Sequence, residues 1–243
     1  MKFEKITAPS QRDLFIRKIQ EMILSGELKK GERMPSEREL ADSLGVSRTI
    51  VNTGIAVLEE QGFLEVVPRQ GVFVTDYKRT ANVDTLNAIM KLKGDVLRDT
   101  DIRSILEIRW ALERLTVKNA LAHLSEENLE QLKAIIEKIR EAKTPMEAAE
   151  LALEFQRLMA EFGENSMLSL IIVSFRAPCL AMWVRFIRIY GIQTLYEHTK
   201  KSFELLARRD YDKALEWIEN FSKEAMDGKF TLYDKDLRGA ADE

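Results

Sequence analysis

The stretch that most constrains this 243-residue chain is a series of helix starts and stops crowded into its first third. Ser36-Glu37-Arg38-Glu39 puts a serine at a cap position and a glutamate three residues on, the reciprocal arrangement that satisfies two orphan N–H groups. Leu40 and Leu44 follow before Gly45, so a helix of barely two turns is expected. After Gly45-Val46, Ser47 caps a further helix that carries Val51, Ile55 and Leu58 on one face and stops at Gly62. Upstream, Phe15, Ile19, Met22 and Ile23 recur at helical spacing over residues 10–26, with Gly26 as a C-terminal stop. Two helices joined by a tight glycine-containing turn form a helix-turn-helix. Phe63-Leu64-Glu65-Val66-Val67 and Val72-Phe73-Val74 then flank Pro68-Arg69-Gln70-Gly71, which reads as a hairpin. Three helices followed by a hairpin make a winged helix-turn-helix.

Beyond Tyr77 the strand signals stop, and from residue 99 to 227 every periodic stretch is helical. Ser125 opens Ser-Glu-Glu-Asn-Leu, and Thr144-Pro145-Met146-Glu147 sets a cap, a first-turn proline and a capping glutamate in order. Breaks near Leu124, Lys143, Gly163-Glu164-Asn165, Pro178, Gly191 and Arg209-Asp210 divide the region into six or seven helices. The expected fold is mainly α. An α+β winged domain spans residues 1–78, a linker 79–98, an all-α bundle for ligand binding and dimerisation 99–230, and a tail 231–243. The most apolar region, residues 166–192, is interrupted by Arg176, Pro178, Arg185 and Arg188. It falls short of the roughly 18–20 uncharged residues that span a bilayer, so a buried helix pair is expected and no membrane anchor. A lone Cys179 and the lack of an apolar stretch after Met1-Lys2-Phe3-Glu4-Lys5 lead to an expected cytoplasmic location.

A net charge of −3 argues against nucleic acid only if the chain is uniform. It is not: the residues up to Arg79 carry 13 basic against 12 acidic side chains, and the remainder 24 against 28. The first domain's useful cations stand at the start of the second helix (Arg33, Arg38), the start of the third (Arg48) and the hairpin tip (Arg69). In such motifs the first residues of the recognition helix reach base edges and helix N-termini meet phosphates. Ser47-Arg48-Thr49 offers two hydroxyls and a guanidinium suited to guanine O6 and N7. Taken singly these residues read as a cap and a solvated cation; within a whole winged motif they read as a DNA-reading set.

Leu28-Lys29-Lys30-Gly31-Glu32-Arg33-Met34-Pro35-Ser36-Glu37-Arg38-Glu39-Leu40-Ala41, then Leu44-Gly45-Val46-Ser47-Arg48-Thr49, Leu58-Glu59-Glu60-Gln61-Gly62-Phe63-Leu64 and Gly71-Val72-Phe73-Val74, resemble the signature of the GntR family of bacterial transcriptional regulators. The resemblance implies a dimeric regulator on a palindromic operator, with DNA contacts at Arg38, Ser47, Arg48, Thr49, Gln70 and Gly71, beside Arg69 at the tip. Two positions depart from the family pattern, Asn52 where arginine is usual and Gly54 where a small residue such as alanine is usual. Asn52 retains hydrogen-bonding capacity for adenine or a phosphate. Gly54 costs a helix about 1 kcal/mol relative to alanine unless it serves close packing.

The helical region is similar to the effector domain of the FadR subfamily, through Leu106-Glu107-Ile108-Arg109-Trp110-Ala111-Leu112-Glu113, Glu154-Phe155-Gln156-Arg157 with Gly163-Glu164-Asn165, and Glu197-His198 with Ala207-Arg208-Arg209-Asp210. Many members of that subfamily hold a divalent metal with one aspartate and three histidines. Here those positions are Ala152, Gln156, His198 and Phe221, so one ligand survives and neither metal nor other cofactor is expected. A bound anion then falls to arginine forks, and the expected effector residues are Arg109, Asn165, Arg176, Arg185 and Tyr190. An apolar and aromatic set including Phe162, Met182, Trp183 and Phe186 resembles the branch that senses fatty acyl-coenzyme A, although by spacing alone it reads as core. The expectation is a ligand-responsive repressor that binds double-stranded DNA as a homodimer, its effector a small organic acid or an acyl-CoA. The alternatives are a constitutive DNA-binding dimer and a helical enzyme with an accessory DNA-binding domain. No nucleophile motif, glycine-rich phosphate loop or paired acid motif favours an enzyme.

Overall fold

A computed structural model describes residues 9–93 and 97–232, and the chain divides into two compact units, Met1–Lys93 and Gly94–Glu243. The first contains α1 (Gln11–Ser25), α2 (Glu37–Leu44), α3 (Arg48–Glu60), the hairpin β1 (Leu64–Val67) and β2 (Gly71–Val74), a single turn α4 (Tyr77–Thr80), and α5 (Val83–Lys93). The capping signals act as read. Ser36 accepts the N–H of Glu39 while Glu39 reaches back to the N–H of Ser36, and the Ser47 hydroxyl accepts the N–H of Ile50. In the antiparallel hairpin Leu64 lies opposite Val74 and Val67 opposite Gly71. The segment before α2 extends this small sheet, with Met34 N–H donating to Val72 O and Val74 N–H to Glu32 O, so the wing is anchored on both sides. Phe15, Ile19, Val51, Leu58, Phe63 and Leu64 close the core beneath the three helices.

Gly54 is explained by this packing. A Cβ at that position would stand 2.3 Å from Phe15 Cδ1 and 2.6 Å from Cε1, so the glycine is what allows α1 to lie against α3.

The segment expected to be a linker, residues 79–98, is largely structured. Asn82 and Thr85 cap α5 reciprocally, Thr85 Oγ1 donates to Gln61 O, and Asn82 Nδ2 donates to Glu60 O. These bonds, with Thr85, Ala88 and Met90 buried, attach α5 to the first unit. Residues 94–96 lie outside the described residues.

The second unit is α-helical throughout its described length: α6 (Asp99–His123), α7 (Glu126–Glu141), α8 (Pro145–Phe162), α9 (Ser166–Ser174), α10 (Arg176–Tyr190), α11 (Ile192–Ala207) and α12 (Tyr211–Asp227). α8 packs on α6, α7 and α10, with α11 and α12 closing the bundle against α7 and α6. The break expected at Pro178 falls at Phe175 instead. Pro178 sits in the first turn of α10, where its missing N–H has no intrahelical partner to lose. The chain bends 60° between α9 and α10, and no single helix among the described residues is long and apolar enough to cross a membrane. The expected buried pair is only half correct, since α10 buries Met182, Trp183, Phe186 and Ile187 whereas α9 buries Leu168 alone. The bundle also extends past residue 230. Tyr190 Oη donates to Thr231 O, Arg185 Nε donates to Leu232 O, and Leu232 is buried. The rest of the expected tail, residues 233–243, lies outside the described residues.

Candidate functional site

In the first unit Arg48 is the first residue of α3. It is exposed and, among the described residues, has no ion-pair partner, so its guanidinium is available to an external acceptor. Ser47 uses an oxygen lone pair to cap the helix at 3.3 Å and keeps its hydroxyl proton free to donate, and Thr49 is exposed beside it. Arg38 lies on α2 with Asp42 3.9 Å away, a solvated pair that restrains it little. Asn52, exposed on α3, also has a partner within the protein. Its Nδ2 donates to Glu37 Oε1 at 3.1 Å, tying α3 to the start of α2, because a side chain one turn into α3 faces the neighbouring helix start.

At the wing tip Gln70 N–H donates to Val67 O across Pro68 and Arg69, and Arg69 occupies φ 66°, a left-handed conformation usually taken by glycine. Gly71 follows at φ 123°, where a Cβ would stand 2.9 Å from Arg33 Nε. Arg33 thus lies across the Gly71 backbone and adds an exposed cation to the wing. The charge distribution pointed to Arg33, but only the pairing of its segment with β2 places it there.

In the second unit, α6, α8, α10, α11 and α12 enclose a cavity of about 60 Å³ lined by Glu113, Gln156, Trp183, His198, Ser202 and Phe221 among others. Beside it Arg109 is 6% exposed, its guanidinium 4.3 Å over the Trp183 ring and 3.5 Å from Glu113 Oε1. Glu113 Oε1 also accepts from Gln156 Nε2 at 2.7 Å. His198 stacks on Phe221 with ring centroids 3.6 Å apart and on Trp217 at 5.5 Å. Burial, reinforced by the Arg109 charge, pushes the His198 pKa down to about 3, so the imidazole is neutral at physiological pH. Three buried nitrogens have no partner among the described residues: Arg109 Nε, Trp183 Nε1 and His198 Nδ1. An unmet buried polar group costs roughly 1–3 kcal/mol, which an acceptor-bearing ligand would recover. Cys179 offers no nucleophile, because burial raises its thiol to about 11.

None of the expected effector residues lines this cavity, and Arg109 alone lies against its lining, through Trp183 and Glu113. Asn165 instead caps α9 through the N–H of Leu168, Arg176 forms an exposed ion pair with Glu150, and Arg185 and Tyr190 hold the backbone of Leu232 and Thr231. Asn165 thus serves as a local helix cap, and the polar ends of Arg176, Arg185 and Tyr190 are taken by groups that sequence spacing does not show. The sequence reading gave Glu113 no role and took Trp183 only as part of an apolar set; their convergence depends on how α6 and α10 pack. The four positions that the resemblance matched to a metal-ligand set, Ala152, Gln156, His198 and Phe221, do all line the cavity. They do not fit a metal: one is a methyl group, one a phenyl ring stacked on the single imidazole, and one an amide donating to Glu113. Among the described residues no group of three or more potential ligands is gathered anywhere.

Residues 15–74 match the family described as bacterial regulatory proteins, gntR family, and residues 104–221 match the FCD domain. An uncharacterized helix-turn-helix transcriptional regulator of Mycobacterium tuberculosis, Rv0494, is 32% identical over 154 residues, or 63% of this chain and 62% of the relative. The match thus spans slightly less than two thirds of that relative's length. The regulator LutR of Bacillus subtilis is 25% identical over 195 residues, covering 76% of this chain and 86% of its own. The regulator of the uxu operon in Escherichia coli is 28% identical over 153 residues, 62% of this chain and 57% of its own. Among solved structures, Lar of Listeria monocytogenes aligns over 91% of this chain and 97% of its own with a TM-score of 0.63 at 18% identity, a likeness of fold. With a gntR-family winged domain followed by an FCD domain, the chain belongs to the GntR family of bacterial regulatory proteins, and the matched relatives are described as transcriptional regulators.

Proposed function

We propose that this chain is a cytoplasmic, FadR-type repressor that binds a palindromic operator as a homodimer and responds to a small organic acid in its helical unit. On the DNA side the reading rests on the unpaired Arg48 at the start of α3, flanked by the Ser47 and Thr49 hydroxyls. Arg38 on α2, and Arg33, Arg69, Gln70 and Gly71 at the wing, supply the surrounding contacts. Half-sites on the palindrome match the spacing of the two reading heads.

The single observation that carries the effector reading is the set of three unpartnered nitrogens beside the cavity, with Arg109 supplying the charge. A carboxylate accepts from Arg109 Nε and Trp183 Nε1, and neutral His198 can present an N–H. The cavity volume of about 60 Å³ is small, which favours the first of the two expected ligand classes. Bound ligand acts on DNA only through different affinities for two arrangements of the heads. Calorimetry with short mono- and dicarboxylates and with acyl-CoAs, followed by gel shifts on the promoter beside the gene, tests this. A short acid should bind and alter operator affinity. Binding of acyl-CoAs alone would overturn the ligand class, and binding of neither would favour a constitutive DNA-binding dimer.

A further inference from the structure

α6 buries one face, through Ile102, Ile105, Leu106, Thr116, Val117 and Ala120, and leaves a second ordered face outside. Ser104, Ile108, Ala111, Leu115, Lys118 and Ala122 are all exposed, at alternating spacings of four and three residues. That is the seam spacing of a helix that packs along another helix. Ile108 is 48% and Leu115 42% exposed, although both stand where a partner helix would bury them. α9 abuts α6 and adds Met167 at 63%, Leu170 at 60%, Ile171 and Val173 to the uncovered apolar surface. A single domain seldom leaves so many large apolar side chains uncovered on adjoining helices unless another surface covers them.

From these observations we infer that a second copy of this chain covers the face, with the two α6 helices antiparallel about a two-fold axis at Ala111. This rests on the homodimer proposed above and states where it forms. The charges beside the seam select a second copy. Glu107 immediately precedes Ile108 and Arg114 immediately precedes Leu115, so an acid lies four residues before Ala111 and a base three residues after it, each beside the seam. Both are exposed, and Arg114 has no ion pair among the described residues. Reversal of direction about Ala111 brings Glu107 beside the partner's Arg114, and the symmetry repeats the pair. The same reversal lays Ile108 beside the partner's Leu115, and the small Ala111 side chain lets the two backbones approach at the crossing. The α9 side chains extend the contact on the flank.

Sedimentation and cross-linking of the full chain test this. The wild type should sediment as a dimer. Ile108→Glu with Leu115→Glu should raise the dissociation constant at least a hundredfold while the helical circular dichroism stays unchanged. Glu107→Arg should weaken the dimer at least tenfold, and Arg114→Glu added to it should restore the dimer. Ala111→Cys should form a disulfide-linked dimer under mild copper-catalysed air oxidation, whereas the wild type should not, since its Cys179 is buried. A dimer that survives the double glutamate substitution and does not cross-link at position 111 would overturn this interface while leaving the homodimer intact. A wild type that remains monomeric both free and on operator DNA would overturn the homodimer and this interface together.

Discussion

Gly54→Ala separates a packing requirement from a helix-propensity effect at a position where the two have opposite signs. In an open helix the alanine would gain about 1 kcal/mol. Here its methyl would stand 2.3 Å from Phe15 Cδ1, well inside the roughly 3.5–4.0 Å of ordinary carbon contact. Phe15 is 3% exposed, among Ile19, Val51 and Leu58, so its ring cannot swing into solvent. Relief must come from moving α1 against α3, and overpacking of this kind costs typically 1–3 kcal/mol. The overlap places the cost at the upper end, giving a net loss of about 1–2 kcal/mol after the propensity gain. All three tryptophans, Trp110, Trp183 and Trp217, belong to the second unit, so calorimetry of the whole chain with tryptophan fluorescence alongside distinguishes the two transitions. The first unit should melt lower by about 4–8 °C per kcal/mol lost, while the fluorescence transition stays in place. Operator affinity should fall as well, because α3 carries Arg48. Phe15→Leu in the same chain should relieve the overlap, with a coupling of about 0.5–3 kcal/mol between the two substitutions. A Gly54→Ala protein that is more stable by about 1 kcal/mol would refute the claim that Phe15 requires the glycine.

Arg69→Gly should relieve the left-handed strain at φ 66° and stabilise the first unit by up to about 1 kcal/mol in calorimetry, while weakening operator binding. An affinity left unchanged would remove Arg69 from the interface. Arg48→Ala should cost about 1–3 kcal/mol of specific binding in gel shifts and relax base preference at one position in each half-site. For His198 the folded pKa lies near 3 and the unfolded value near 6.5, so between them the unfolded chain takes up a proton that the native state refuses. This histidine's contribution is therefore fully present above pH 6.5 and is lost as pH falls toward 3, at up to about 1.4 kcal/mol per pH unit. Urea unfolding followed by tryptophan fluorescence at pH 7, 6 and 5 should show a shallower decline for His198→Gln; equal declines would mean that the imidazole is not buried neutral.

Much of the first unit is legible because its determinants are local. Ser36 with Glu39, Ser47 at the start of α3, and Pro68 in the wing turn each act on backbone groups within four residues, so reading them needs no partner from elsewhere. Asn52 was harder, since its choice between DNA and Glu37 depends on the angle between two helices. The extent of that unit was misjudged where the decisive bonds span distance. Thr85 to Gln61 and Asn82 to Glu60 make a helix of what composition presents as a linker.

The helical unit shows the same division more sharply. Periodicity and caps gave six or seven helices where the structure has seven, and the identity of four scattered residues argued against a metal, because a ligand set depends on residue type wherever the chain places it. Which arginine lies beside the cavity is another matter. Arg109, Arg176 and Arg185 are chemically identical interruptions of apolar helices, and spacing does not distinguish them. Packing set Arg109 over Trp183, left Arg176 to Glu150 at the surface, and turned Arg185 onto the backbone of Leu232. The sequence by itself determined most of the elements and their caps, which follow from short-range hydrogen bonding and residue chemistry. Only the tertiary structure decided which polar groups are left without partners inside the bundle and which apolar helix faces are left uncovered, because both depend on what distant segments bring alongside.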